Sequence, residues 1–107
     1  MSGIRQISAP ELKAMMDRGE AVELIDVRTE HERAMAVIDG SKLLDDGVHE
    51  YLLSLDRSTP IVFQCHHGMR SQAAAEYFAR NGFTNVYNLA GGIDAWSTDV
   101  DRSVPRY

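Results

Sequence analysis

A chain of 107 residues with 44% hydrophobic and 25% charged side chains has the size and make-up of one globular domain, which excludes a disordered or fibrous chain and leaves no room for a second domain. A formal net charge of −5, with 11 scattered Lys and Arg, argues against a nucleic-acid surface, which needs clustered cations. No apolar stretch approaches membrane-spanning length and the opening MSGIRQISAPELKAMM has no apolar leader core, so no membrane contact and a cytoplasmic location are expected.

In chain order, Ser8-Ala-Pro-Glu11 has the pattern of a capping box, and a helix is expected from about Ala9 to Arg18, closed by Gly19. AVELIDV reads as a strand ending near Asp26, and TEHERAMA as a short helix. After the turn and short strand of IDGSKLL, Val48, Tyr51, Leu52 and Leu55 recur at helical spacing, which predicts an inward apolar face. Ser58-Thr59-Pro60 breaks that helix. IVFQC is a continuous apolar run of the kind found in a strand covered on both faces.

SQAAAEYFARNGF predicts a helix starting near Ser71, with Ala74, Tyr77 and Phe78 along one stripe and Asn81-Gly82 at its end. NVYNL reads as a strand, AGG as a turn and IDAWST as a short helix. DVDRSVPRY reads as an irregular tail from about residue 98 along the surface, where Pro105 sets an extended course and Tyr107 is a candidate anchor. Strands alternating with helices through short connections indicate parallel βαβ units in a three-layer α/β domain.

The single cysteine sits where that architecture binds ligands, beyond the carboxyl end of the strongest strand. In CHHGMRS, Gly68 permits a tight turn, and loop amides, the dipole of the following helix and the Arg70 guanidinium all favour a Cys65 thiolate. Zinc held by Cys65, His66 and His67 is disfavoured, because adjacent histidines rarely converge on one ion; no metal is expected. Both histidines are assigned to the rim, while His31 and His49 are expected to be solvated. Cys65 and Arg70 are separated by four residues, one fewer than in cysteine phosphatases, and the tighter cradle suits a smaller group on the sulfur.

CHHGMRS resembles the active-site loop of the rhodanese-like sulfurtransferases. LIDVRTEHE resembles a strand and helix of that family, and NVYNLAGGIDAWS its last strand, glycine turn and final helix, so the similarity spans about Ile7 to Ser97. The SVPRY ending resembles the tail of some bacterial rhodanese modules. The resemblance implies a single rhodanese domain over residues 1–107, α/β/α with a five-stranded parallel sheet of order 3-2-4-5-1. It further implies Cys65 as the persulfide carrier, with His66, His67, Gly68, Met69, Arg70 and Ser71 as its cradle and Asp26 and Arg28 as supporting residues, to which spacing adds Glu32. Arg28 lies four residues before Glu32, a pairing that helix geometry permits. Gly91, Gly92 and Trp96 also match and read as a tight turn and core packing. The family's Gly-His-Ile-Pro-Gly-Ala is replaced by Ala36-Val37-Ile38-Asp39-Gly40-Ser41, which keeps the glycine turn.

The expected reaction is ping-pong transfer of sulfane sulfur from a donor such as thiosulfate to a small thiophile or a protein thiol, with no cofactor. The loop is less cationic than one rich in Lys or Arg, which leaves the physiological donor open. A non-catalytic or sulfur-carrier module docking with a partner is the alternative from another class. Phosphatase or arsenate reductase chemistry is disfavoured by the short loop and the lack of a well-placed acid.

Overall fold

Among the described residues five strands and five helices alternate: β1 (Arg5–Ile7), α1 (Ala9–Asp17), β2 (Glu23–Asp26), α2 (Glu30–Met35), β3 (Lys42–Leu43), α3 (Asp46–Leu53), β4 (Ile61–Gln64), α4 (Met69–Arg80), β5 (Val86–Leu89) and α5 (Gly92–Asp99). The computed structural model describes residues 4–107; Met1-Ser2-Gly3, read above for the absence of a leader, lie outside the described residues. All neighbouring strands pair in parallel, in the order β1-β5-β4-β2-β3, which is the expected 3-2-4-5-1 read from the other edge.

Side-chain alternation along the central strands builds the two covered faces. Leu24 and Val62 point to one side, where Leu12 of α1 and Ile93 and Trp96 of α5 pack; Ile25 and Phe63 point to the other, against Leu52 of α3 and Ala75 and Phe78 of α4. All four residues of β4 are buried, as its unbroken apolar run requires. The capping box of Ser8 and Glu11 starts α1. No described helix is long and apolar enough to cross a membrane.

The structure revises several sequence expectations. Helix α4 begins at Met69 rather than Ser71, because Gly68 takes a left-handed φ of 109° and turns the chain directly into the helix. Its buried stripe is Ser71, Ala75 and Phe78, one step round from the predicted one, and Tyr77 is exposed. On α3, Leu52 is buried while Tyr51 faces solvent and Leu55 lies past the helix end. His49 is half-buried rather than solvated, its Nε2 2.8 Å from the Tyr77 hydroxyl and its ring beside Phe78. Helix α5 continues to Asp99, and the segment after it, otherwise mostly exposed, sends Val104 into the core layer of Trp96. Helix α2 contributes no buried residue, and its half-buried Arg33 reaches the buried Asp26.

Candidate active site

Parallel pairing brings the carboxyl ends of β2, β4 and β5 to one edge, and Cys65 follows β4 there as a free, buried thiol. Two helices shape the loop around it. From α5, the Ile93 amide donates to the Cys65 carbonyl at 2.8 Å and the Asp94 amide to the His66 carbonyl at 3.2 Å. With those carbonyls turned away, the amides that follow face the sulfur. Gly92 permits this approach: at φ 60°, a Cβ there would lie 2.3 Å from the Cys65 carbonyl oxygen. The glycine read as a turn residue is therefore also the contact between α5 and the loop.

The Gly68 amide donates to Sγ at 3.0 Å, and the Ser71 hydroxyl lies 3.3 Å from Sγ. Burial by itself would push the thiol pKa up; the Ser71 hydroxyl and the amides of Ser71, Gly68 and His67 outweigh it and hold the pKa below its ordinary value. The Ser71 hydroxyl also lies 2.5 Å from Oδ1 of Asn88 on β5, so its single proton goes either to that oxygen or to Sγ, and Asn88 Nδ2 donates to the Gly68 carbonyl at 3.1 Å. Asn88 was not read from the sequence, although a polar residue in the apolar run NVYNL is a signal, since a buried amide must find partners.

Arg70 lies within electrostatic reach of Cys65, as expected, but it is also paired. Its Nη1 and Nη2 donate to the two carboxylate oxygens of Glu32 at 2.7 and 2.9 Å, a bidentate fork that holds Glu32 well below the usual carboxylate range and neutralises much of the loop's positive charge. The Arg28–Glu32 side-chain pairing is likewise corrected. Arg28 reaches only the main-chain oxygen of Glu32, at 3.4 Å, while its Nε and Nη2 grip Asp26 at 3.0 and 2.8 Å. Asp26 and Arg28 are buried, not solvated, and Arg33 adds a third contact to Asp26 at 3.0 Å. Glu32 also closes a capping box with Thr29, legible from the same Thr-x-x-Glu pattern but not read.

The His66 ring is sandwiched, with the rings of His67 and Tyr107 each 4.0 Å away between centroids. His67 and Met69 are exposed at the rim, and with Gln6, Gln72 and Asn88 they line an open hollow of about 450 Å³ beside the loop. His66, His67 and Asp94 bring three potential metal-ligand atoms within 4.8 Å of one another, a set that does not include Cys65. The Asp94 carboxylate already accepts from Arg106 at 2.8 and 3.3 Å, so a cation there would have to compete with that guanidinium.

Comparison with known proteins adds an independent line. The Rhodanese-like domain family matches residues 8–99. A protein of Ectopseudomonas mendocina named thiosulfate sulfurtransferase GlpE is 35% identical over 97 residues, covering 90% of this chain and 87% of that one. Its namesake in Pseudomonas paraeruginosa is 37% identical over the same length and coverage. Among solved structures, a rhodanese-like domain protein from Staphylococcus aureus superposes with a TM-score of 0.77 at 30% identity, covering 97% of this chain and 99% of its own.

Proposed function

The chain belongs to the rhodanese-like family as a sulfurtransferase, and on that premise we propose that it moves sulfane sulfur through a persulfide on Cys65, with thiosulfate as a competent donor. The Cys65 thiolate attacks the outer sulfur of the donor. A new S–S bond forms to Cys65 while the donor's own S–S bond breaks, and sulfite departs with the electron pair. The outgoing charge and the terminal persulfide sulfur are stabilised by the amides of the Cys65–Ser71 loop and by Arg70. An acceptor nucleophile, such as cyanide, a low-molecular-weight thiolate or a protein thiolate, then takes the terminal sulfur and restores the Cys65 thiolate.

The observation that carries this reading is the donor set around one sulfur: the Gly68 amide at 3.0 Å, the neighbouring amides of His67 and Ser71, and at 3.3 Å a Ser71 hydroxyl whose one proton can turn from Asn88 to Sγ, together lowering the thiol pKa despite burial. An inert packing cysteine needs none of these. His66, His67 and Met69 form the mouth through which donor and acceptor reach the sulfur, while Asp26, Arg28 and Glu32 brace it from β2 and α2.

Intact-protein mass spectrometry tests the proposal. Thiosulfate is expected to add about 32 Da, one sulfur atom, to the wild type but not to Cys65→Ser, and cyanide is expected to remove it as thiocyanate. A folded wild type that gains no mass from thiosulfate or from other sulfane-sulfur donors would instead favour a docking module.

A further inference from the structure

The segment 101–107 has no role in the chemistry above, yet it is tied down along its length. The Ser97 hydroxyl donates to the Val104 carbonyl at 2.5 Å, Val104 is buried, and the Arg106 guanidinium pairs with Asp94 in the first turn of α5. These contacts carry Tyr107 back to the mouth of the site.

There its hydroxyl and ring do separate things. Arg28 Nη1 donates to the Tyr107 hydroxyl at 2.9 Å, and a guanidinium has no lone pair to accept with, so the single phenolic proton is committed to Glu32 Oε2 at 2.7 Å. The same Oε2 accepts from Arg70 Nη2. Tyr107 thereby joins the buried Asp26–Arg28 pair to the Glu32–Arg70 pair at the mouth. The link gives α2, which carries Glu32, a second tie to the core beside that of Arg33 to the buried Asp26. The ring lies parallel to His66, 8° between planes, directly after the cysteine. His66 Nε2 is buried without a hydrogen-bond partner among the described residues, so packing between the Tyr107 and His67 rings is what holds that imidazole.

We propose that Tyr107 is a positioning residue of the sulfurtransferase site, its hydroxyl setting the placement of Arg70 through Glu32 and its ring holding His66 against the loop. The proposal rests on the sulfurtransferase reading for its consequence, since Arg70 matters most where a reagent brings or releases negative charge at the sulfur.

The test compares the full chain as wild type, Tyr107→Phe and Tyr107→Ala in two assays. In the first, Cys65 is alkylated by anionic iodoacetate and by neutral iodoacetamide, which reports on the charge at the mouth whether or not the protein transfers sulfur. Tyr107→Phe keeps the ring and loses only the hydroxyl. It is expected to lower the iodoacetate-to-iodoacetamide rate ratio by about three- to tenfold, the loss of one charge-assisted hydrogen bond. Tyr107→Ala is expected to lower the ratio as far and to slow both reagents through the released His66 ring. In the second assay, thiosulfate-to-cyanide turnover, Tyr107→Phe is expected to raise the KM for thiosulfate with little change in kcat.

A ratio unchanged in Tyr107→Phe overturns the proposal, because a merely structural tyrosine would shift both alkylations together. Absence of turnover in the wild type, with the ratio still falling in the variant, would count against the sulfur-transfer reading and leave the positioning role standing. Should Tyr107→Ala fail to fold, the phenylalanine variant alone decides.

Discussion

At the scale of single residues, the state of Cys65 is set by competition between burial, which favours the neutral thiol, and hydrogen bonds, which favour the anion. With its proton turned to Sγ rather than to Asn88, the Ser71 hydroxyl is the largest of the opposing contributions, so Ser71→Ala should move the midpoint of the pH profile for Cys65 alkylation upward, back toward the ordinary thiol range. Stopped-flow alkylation with iodoacetamide between pH 5 and 10 measures it; an unmoved midpoint would transfer the credit to the amides. Arg70 teaches the complementary lesson. A guanidinium near a sulfur in sequence need not be the group that ionises it, because a carboxylate 38 residues away can claim both of its forks first.

At the scale of elements, the site is the meeting of two helix N-termini with one strand end. Helix α4 supplies amides to the sulfur, and α5 takes the loop carbonyls out of the way, so each helix does half of the loop's orientation. The tightest contact is at Gly92, where an added methyl would overlap the Cys65 and His66 carbonyls and where the positive φ disfavours any side chain. Gly92→Ala is therefore expected to cost about 2–4 kcal/mol of stability and to slow Cys65 alkylation by pushing α5 off the loop. Denaturant unfolding together with iodoacetamide rates would show both effects; a loss of stability with normal reactivity would mean the loop holds its shape without α5. Gly91, at φ 77°, is constrained by Ala95 of its own helix rather than by the site.

At the scale of the whole molecule, the edge of the sheet that carries Cys65 is bound together by ion pairs, the local ones of Asp26 with Arg28 and Arg33 and of Asp94 with Arg106, and the long-range one of Glu32 with Arg70. Hydrogen bonds from Arg70 depress the pKa of Glu32, and those from Arg106 depress that of Asp94. A carboxylate whose folded pKa lies below its unfolded value contributes stability that is fully present above the unfolded pKa and is lost as pH falls toward the folded one. Stability should accordingly fall as pH drops below about 5, where the unfolded chain begins to bind protons that the folded one refuses. Urea midpoints from pH 7 to pH 3 would trace this slope, and Glu32→Gln should flatten it while lowering stability at pH 7.

The strand-helix alternation, the buried run of β4, the capping box at Ser8 and the glycine-turned cysteine loop were all legible in the sequence, because each depends on spacing within a few residues. Sequence alone also placed Cys65, Gly68 and Ser71 in one short loop, and the resemblance to rhodanese-like sulfurtransferases followed from three local motifs. Only the tertiary structure decided which charges meet. Arg28 turned from Glu32 to Asp26, Arg70 was taken by Glu32, Asn88 came to hold Ser71 from across 17 residues, and Tyr107 reached Glu32 across 75. Helical spacing permitted an Arg28–Glu32 pair, but a buried guanidinium must satisfy its donors within the core, where Asp26 was the available carboxylate. Partner choice among charged and polar side chains is settled by which strands lie side by side and which helices cover them, and that is a property of the packed sheet.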